Sequence, residues 1–284
     1  MRTGIVLFTT FVPESKVGYK ERMIVSRATQ AELLEQRIAE NAASQEIDLA
    51  TWIFERVQVR PGDQILELCC GTGGQTLPLL DRVGKSGRVV ALDISPQALD
   101  SLRSKAGVAN QELKLIESSL DSFSSALRQA QCQPGSFDLV FCAYGLYYAA
   151  DAQRTLEEAR SWLTPDGRIV VVGPFGPNNQ PLFDLVRASG AALAETVTFS
   201  SERFMLQMVV PWGSRHFAAT SVYTMVNPVR WATPERVLNY WQNTTFYSAE
   251  KRPAFEQLLQ EHFARHGVFV NEKWVMLVEM SRGR

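Results

Sequence analysis

Short apolar runs alternate with amphipathic stretches between residues 45 and 172. The runs have almost no polar alternation and lie between turn residues, which is typical of strands buried on both faces of a sheet. Each amphipathic stretch has helical spacing, so the order predicts a parallel sheet with crossover helices on its faces. The predicted strands are residues 64–68, 88–92, 113–117, 137–142 and 168–172.

The rest of the chain departs from this rhythm. Residues 174–216 are rich in Phe, Met, Asn and Pro and are interpreted as an insertion, while residues 1–44 precede a core of residues 45–173. Strand character returns within residues 217–284, so we expect that segment to complete the core by adding antiparallel strand character at the sheet edge. The predicted fold class is therefore α/β, a doubly wound and mostly parallel sheet.

Composition narrows the class of protein. Of 284 residues, 45% are hydrophobic and only 21% are charged, which provides enough apolar surface for a globular core. The 29 basic and 30 acidic residues nearly cancel, which argues against nucleic acid or an anionic membrane as a partner. No apolar run in the sequence reaches the length that a membrane span requires.

The cysteines favour a reducing compartment. They are Cys69, Cys70, Cys132 and Cys142. They include no CxxC pair and have no histidine nearby, so neither a disulfide framework nor a zinc site is expected. The apolar stretch near the N-terminus lacks a cleavage site and is interpreted as mature protein rather than as a signal peptide. The expected location is the cytoplasm.

The most informative stretch is the first predicted strand with the glycine-rich turn after it. Gly71 and Gly73 permit positive φ angles and close approach of a ligand to the backbone, and the next helix offers unpaired N–H groups. Asp93 ends the following strand, 22 residues after Gly71. At a spacing of about 20, an acidic side chain accepts hydrogen bonds from ribose hydroxyls. The pattern indicates a nucleoside-binding site.

Other interpretations stay open. One is purely structural: the glycines form a tight turn and Asp93 caps a strand end. Another is an NAD(P)-dependent oxidoreductase, although Thr76 stands where GxGxxG needs its third glycine and the tyrosines after the fourth strand form no Tyr-x-x-x-Lys pair. The last is a non-catalytic nucleoside-binding protein.

Residues 45–172 resemble the class I S-adenosylmethionine-dependent methyltransferases, in particular the type 11 or UbiE-like small-molecule branch. Glu67-Leu-Cys-Cys-Gly-Thr-Gly73 is similar to the first motif of that family, and Val89-Val-Ala-Leu-Asp-Ile-Ser95 is similar to the second. Later motifs match at 137–142 and 162–170. The resemblance implies a Rossmann-like fold, methyltransferase activity on a small molecule, S-adenosyl-L-methionine as methyl donor and S-adenosyl-L-homocysteine as product.

The resemblance also implies which residues bind the donor. Asp93 would hold the ribose hydroxyls and Ile94 would pack on the adenine. Cys69 replaces the first glycine of the motif, so we expect a backbone without strongly positive φ there. Ser119 stands where the family has an aspartate for the adenine amino group. The full set is Tyr19, Glu67, Cys69, Gly71, Gly73, Asp93, Ile94, Ser119, Leu120 and Cys142.

Methyl transfer from a sulfonium mainly requires that donor and acceptor are held in line, so no metal is required. Tyr147 is the candidate for orienting or deprotonating an acceptor hydroxyl. His216 is the candidate imidazole, because histidine titrates near neutral pH. His262 and His266 share a helix face without an HExxH pattern, which argues against a metal site.

By the same resemblance, residues 1–44 form a lid and residues 174–216 a cover that select the acceptor. The apolar side chains of the cover suggest an apolar or aromatic acceptor, although core packing explains them equally well. They are Phe204, Met205, Met208 and Trp212. We therefore expect a small metabolite, of the kind made in secondary metabolism, with an oxygen nucleophile favoured over nitrogen or carbon. The sequence leaves the oligomeric state open.

Overall fold

The computed structural model describes residue 27, residues 30–107 and residues 112–282. The strands of this part of the chain are β1 Gln64–Leu68, β2 Arg88–Asp93, β3 Leu113–Glu117, β4 Phe137–Ala143, β5 Leu163–Pro174, β6 Ala219–Trp231 and β7 Phe269–Ser281. They form one seven-stranded sheet in the order β3-β2-β1-β4-β5-β7-β6. The pairs from β3 to β5 are parallel, whereas β7 is antiparallel to both β5 and β6.

Helices flank the sheet and join its strands. They are α1 Ala31–Ala42, α2 Leu49–Phe54, α3 Thr76–Val83, α4 Pro96–Ala106, α5 Phe123–Gln129, α6 Ala152–Ser161, α7 Gln180–Ala188, α8 Glu195–Thr198, α9 Val210–His216, α10 Pro234–Gln242 and α11 Arg252–His266. Two π-helical turns, Phe199–Arg203 and Met205–Val209, connect α8 to α9. Among the helices of the described ranges, none combines the length and the apolar character that crossing a membrane requires.

Both faces of the sheet are buried, because successive side chains of a strand point to opposite faces. On β4, Val140 and Cys142 pack into one apolar layer, whereas Leu139 and Phe141 pack into the other. Strands that bury both faces need apolar side chains at nearly every position, which is the pattern that the sequence has. The predicted doubly wound, mostly parallel α/β sheet is confirmed.

Ser95, which precedes a proline, and Asp151 are residue types typical of a helix N-cap, so the sequence predicts helices that begin directly after them, and two helices do. The Ser95 hydroxyl accepts a hydrogen bond from the Ala98 N–H at 3.3 Å and caps α4. The Asp151 carboxylate accepts one from the Arg154 N–H at 3.0 Å and caps α6. Each side chain satisfies an N–H that has no partner within its helix.

The main local difference concerns residues 164–167, which the sequence predicts as a turn. They belong to β5, where Phe137 pairs with Leu163 and Leu139 pairs with Arg168. Between these two pairs β5 has four residues, 164–167, where β4 has only Asp138. The additional residues of β5 form an irregularity in the ladder, and the pairing with β4 continues on both sides of it.

The strand directions bring several chain segments to one edge of the sheet. The carboxyl ends of the parallel strands and the amino end of β7 lie together there, and we call this side the carboxyl edge. At the β6–β7 side of that edge, a third apolar cluster joins α7, α10 and α11. Residues of the predicted cover and of the C-terminal segment therefore share one core.

The turn between β1 and α3 contains two adjacent glycines, of which only one has a neighbour that a side chain would meet. Gly73 has a φ of +90°, and a Cβ added there would lie 2.4 Å from Cδ1 of Leu102 on α4. A Cβ added to the adjacent Gly74 would meet no atom within 4 Å. Only Gly73 is therefore required for the close approach of the turn to α4.

We expect Gly73→Ala to lower the free energy of unfolding by about 1–3 kcal/mol, because the new methyl group adds backbone strain and overlaps Leu102. Gly74→Ala is the matched control and should change the free energy of unfolding by less than about 0.5 kcal/mol. Urea unfolding followed by circular dichroism measures both. Equal stability of the two variants would contradict this account of the turn.

Candidate active site

The carboxylate of Asp93 joins the turn after β1 to the end of β2. Its Oδ2 accepts a hydrogen bond from the Gly71 N–H at 2.8 Å, and its Oδ1 accepts one from the Ser95 N–H at 2.9 Å. The Cys70 N–H donates to the Leu92 carbonyl at 2.9 Å, which extends the β1–β2 pairing into the turn. The structure thus brings Gly71 and Asp93 together at the carboxyl edge, and the strand-cap interpretation of Asp93 is also correct.

The prediction for the Cys69 backbone is wrong. Cys69 has a φ of +58°, in the left-handed region, as do Gly71 and Gly73. The conformation is unfavourable for a residue with a Cβ, so neighbouring contacts must hold it. A Cβ added to Gly145 would lie 2.3 Å from the Cβ of Cys69, so the missing side chain at Gly145 makes room for the cysteine.

Glu67 is a buried carboxyl group on β1, just before the turn. It is 2% exposed, and its Oε2 has no hydrogen-bond partner among the described residues. Burial raises the pKa of Glu67 to about 8; the Thr76 hydroxyl opposes this rise and the negative charge of Asp93 adds to it. A cationic ligand group beside Glu67 would favour its ionised form, because opposite charges stabilise each other in a buried site.

The residues after β2 and β3 offer a flat, mixed surface. Ile94 is 50% exposed directly after Asp93. The Ser119 hydroxyl lies 2.9 Å from the Ser122 hydroxyl, and Leu120 packs against the apolar layer below it. The carboxylate of Asp121 accepts a hydrogen bond from the Ala150 N–H at 3.0 Å and so joins this loop to the one after β4.

Cys142 on β4 lies beneath the turn. It is 2% exposed, and its thiol contacts that of Cys69. This contact, followed by burial, raises the pKa of the Cys69 thiol well above its ordinary value. Both cysteines are free, and the Cys69 thiol, whose pKa is raised, keeps its proton at neutral pH.

Tyrosines follow β4 as the sequence predicts. The Tyr147 ring lies 4.7 Å from that of Tyr148 and packs edge-on against Phe204 at 5.8 Å. Burial raises the pKa of the Tyr147 phenol well above its ordinary value, and the neighbouring Tyr148 and Tyr144 add to the rise. A phenol in this environment keeps its proton at neutral pH and serves better as a hydrogen-bond donor than as a base.

His216 lies away from these residues. It is the last residue of α9 and comes just before β6. The first residue of β6 pairs with Ser281 of β7, and Ser281 pairs with Arg168 of β5. Arg168 lies toward the amino end of the parallel strands, where the regular β4–β5 pairing begins. That is the edge of the sheet opposite Asp93. The His216 ring stacks on Trp212 at 4.4 Å, and its Nδ1 lies 2.8 Å from the Trp212 carbonyl oxygen. The structure does not bring His216 to the predicted site.

Helix α1 covers the glycine-rich turn. A Cβ added to Gly71 would lie 3.1 Å from Cδ2 of Leu34, and Glu35 accepts hydrogen bonds from Ser101 at 2.6 Å and Lys105 at 2.7 Å. These bonds attach α1 to α4 beside the glycine-rich turn. Tyr19, the other residue predicted in this N-terminal segment, lies outside the described residues.

The apolar side chains predicted to line a cover serve mainly as core. Phe204, Met205 and Trp212 are all less than 5% exposed and belong to the apolar layer under β4 and β5. Met208 is partly buried against the same layer. Phe204 still bears on the site, because it supports the Tyr147 ring from below. Throughout the described ranges, no cluster of His, Cys, Asp and Glu has the arrangement of a metal site.

Sequence reasoning missed Arg37, Tyr240 and Lys273. They lie on α1, α10 and β7, which meet at the carboxyl edge near Tyr144. The Arg37 guanidinium donates to the Asn243 carbonyl at 2.7 Å. Its charge opposes the rise in the pKa of Tyr147 and Tyr148 and contributes to the lowered pKa of Tyr240. The three residues belong to no motif and are far apart in the chain, so no sequence signal links them.

Known proteins resemble the central part of this chain. A family described as "Methyltransferase domain" matches residues 65–167. A demethylmenaquinone methyltransferase of Lactobacillus johnsonii is 32% identical over 126 residues, 44% of this chain and 50% of that protein. A 2-phytyl-1,4-naphtoquinone methyltransferase of Trichormus variabilis is 30% identical over 121 residues, 43% and 51% of the two chains.

The likeness of folds extends further along the chain than the likeness of sequences. The crystal structure of the YcgJ protein from Bacillus subtilis matches with a TM-score of 0.56 at 13% identity, over 82% of this chain and 98% of that one. The chain spans about half the length of the curated relatives it matches. The matched family, the glycine-rich turn with Asp93 and the strand order identify residues 65–167 as a methyltransferase domain, similar to those of the class I S-adenosylmethionine-dependent enzymes.

Proposed function

We propose that this protein transfers the methyl group of S-adenosylmethionine to a small, partly apolar or aromatic acceptor, with a hydroxyl oxygen as the favoured nucleophile. The observation that carries the proposal is the carboxylate of Asp93, which lies at the carboxyl edge and is bonded to the Gly71 N–H of a turn with positive φ. Such a turn and carboxylate suit the ribose of a nucleoside.

The residues of the cleft fit the donor by their chemistry. Asp93 would accept hydrogen bonds from the ribose hydroxyls, and the exposed side chain of Ile94 would pack on the adenine ring. Ser119 and Leu120 would border the adenine edge. Glu67, buried with an unpartnered oxygen, would meet the cationic amino-acid end of the donor. Cys69 and Cys142 carry small, free thiol side chains and would line the space beside the sulfur.

When bound, the donor supplies a methyl group on a positively charged sulfur. The task of the protein is then to hold an acceptor oxygen in line with that group and to exclude water. Helix α1 over the turn and the tyrosines after β4 would provide the enclosing walls. Tyr147, whose phenol keeps its proton, would orient the acceptor through a hydrogen bond.

The relatives indicate which class of acceptor to test. The relatives named above act, by their names, on a demethylmenaquinone and on a phytyl naphthoquinone. A reduced naphthoquinone is a suitable probe for this class, because it combines a flat apolar ring with hydroxyl groups. The helices α1 and α10, which lie beside the tyrosines after β4, are outside the matched residues 65–167, so the choice of acceptor is tested separately from the donor.

Calorimetric titration with S-adenosylhomocysteine tests the donor. We expect binding of this ligand and none of NADH, because the third glycine of a dinucleotide turn is replaced by Thr76. Binding of NADH without binding of S-adenosylhomocysteine would favour the oxidoreductase alternative. Mass spectrometry of 1,4-naphthohydroquinone incubated anaerobically with S-adenosylmethionine then tests methyl transfer.

Asp93→Ala should weaken binding of S-adenosylhomocysteine by about 1.5–3 kcal/mol, the usual scale for lost charge-assisted hydrogen bonds. The matched control is Asp100→Ala on α4, since the side chain of Asp100 is 72% exposed and paired with Arg103. Calorimetry measures both affinities, and circular dichroism checks that the fold is intact. Unchanged affinity in Asp93→Ala would mean that other groups hold the ribose.

Glu67→Gln should have opposite effects on stability and on donor binding. The folded pKa of Glu67 is raised to about 8, so between roughly pH 5 and pH 8 the folded state holds a proton that the unfolded chain has lost. Stability therefore falls as pH rises through this range. Glutamine removes the effect, so the variant should be more stable than the parent at alkaline pH, by about 2–4 kcal/mol, and similar to it near pH 5.

The same variant should bind S-adenosylmethionine more weakly at alkaline pH, because the carboxylate charge is lost. Thermal unfolding at several pH values, combined with calorimetry, separates the two effects. Glu157→Gln on the exposed face of α6 is the control and should change neither. A stability difference for Glu67→Gln that is independent of pH would contradict the raised pKa.

A further inference from the structure

A lysine and a tyrosine form a close pair at the carboxyl edge. The Lys273 ammonium donates to the Tyr240 hydroxyl oxygen at 2.5 Å and to Oδ1 of Asn179 at 2.6 Å. Asn271, fully buried, donates to the same Asn179 oxygen at 2.8 Å. Two hydrogen bonds, to Tyr240 and to Asn179, thus fix the direction of the ammonium, and Asn271 in turn holds Asn179 in place.

The charge of Lys273 has no carboxylate to balance it. Within residues 30–107 and 112–282, no acidic side chain forms an ion pair with Lys273. Lys273 is partly buried, and an ammonium group that is partly removed from water without a counter-charge is unfavourable. The Tyr240 phenol is the one acidic group within hydrogen-bond distance of Lys273 among these residues, and its ionisation would neutralise the pair.

The surroundings of Tyr240 also favour its ionised form. The phenol is buried, and burial alone would raise its pKa. The ammonium of Lys273, the guanidinium of Arg37 and the side chain of Asn41 act in the other direction, and the net effect lowers the pKa of Tyr240. The nearest acidic side chain on α1, Glu40, is neutralised by Arg236 at 3.1 Å.

The neighbouring tyrosines respond in the opposite way. Burial, followed by the charge of Tyr240, raises the pKa of Tyr144. Burial raises that of Tyr147 as well. Acid and base roles in active sites are commonly divided between groups whose environments separate their pKa values in this manner. Tyr144 and Tyr147 are thus suited to donate hydrogen bonds, and Tyr240 to accept a proton.

The position of the pair matches the acceptor side of the cleft. Lys273 comes two residues before Val275, whose partner Pro174 ends β5 at the carboxyl edge. Tyr240 interacts electrostatically with Tyr144, which follows β4. Tyr144 in turn precedes Gly145, whose Cα lies against Cys69 of the glycine-rich turn. Tyr240 therefore lies near the loop after β4, and that loop packs against the glycine-rich turn.

We propose that Tyr240, held by Lys273, is a further catalytic residue that takes the proton from the acceptor hydroxyl. The inference rests on the proposed methyl transfer and adds a base to it. The acceptor O–H bond breaks and its proton passes to the Tyr240 phenolate, while the new O–CH₃ bond forms. The methyl–sulfur bond breaks with its electron pair left on sulfur, so one positive and one negative charge disappear together. Lys273 keeps its protons and serves as a positioning residue.

The first test needs no acceptor. Ultraviolet absorbance of the full-length protein, titrated with base, reports tyrosinate formation. We expect one tyrosine to ionise clearly below the ordinary value of about 10, and this early step to be missing in Tyr240→Phe. In Lys273→Met the step should move upward by roughly one pH unit or more. Tyr223→Phe on β6 is the matched control and should retain the early step. Its persistence in Tyr240→Phe, or its absence from the parent protein, would overturn the proposal.

The second test separates the base from the fold and from the donor site. With 1,4-naphthohydroquinone as acceptor, Tyr240→Phe should lower kcat by about 100-fold or more and leave the affinity for S-adenosylhomocysteine unchanged. Lys273→Met should shift the rising limb of the pH–rate profile to higher pH and recover activity there. Full turnover in Tyr240→Phe would refute the proposal. Failure of the parent protein to bind S-adenosylhomocysteine would instead count against the proposed function, and the absorbance titration would still decide the ionisation of Tyr240.

Discussion

The two hydrogen bonds accepted by the Asp93 carboxylate are the interaction on which the structure of the glycine-rich turn depends. One oxygen holds the Gly71 N–H and the other holds the Ser95 N–H, so the turn after β1 and the start of α4 are fixed to the end of β2 by a single side chain. Charge-assisted hydrogen bonds of this kind are stronger than neutral ones. They help to explain how Cys69 remains in a left-handed conformation that a side chain disfavours.

Charge is distributed unevenly along the carboxyl edge. Two carboxyl groups, Glu67 and Asp93, lie by the glycine-rich turn, and two cations, Arg37 and Lys273, lie near Tyr240. A sulfonium donor suits the acidic side, and a proton-losing acceptor suits the basic side. The proposed function and the proposed base thus rest on one electrostatic pattern, in which the tyrosines after β4 lie between the two halves.

Several expectations from sequence hold because they depend on local chemistry. The buried strands, the caps at Ser95 and Asp151 and the meeting of Gly71 with Asp93 all follow from short-range patterns. The α/β fold and the methyltransferase domain are confirmed, whereas the roles of the individual site residues stay predictions. The positive φ of Cys69 does not follow from the small size of its side chain, because contacts with the surrounding structure hold the backbone there.

The sequence by itself determined the sheet, its glycine-rich turn and the match to a methyltransferase domain, because parallel strands and their turns impose fixed residue types at fixed spacings. Only the tertiary structure decided which distant side chains meet at the acceptor end. It set His216 at the opposite edge, made Phe204 and Trp212 part of the core, and brought Tyr240 to Lys273. The physical reason is that the antiparallel return of β7 carries its amino end to the carboxyl edge, and no local pattern encodes that juxtaposition.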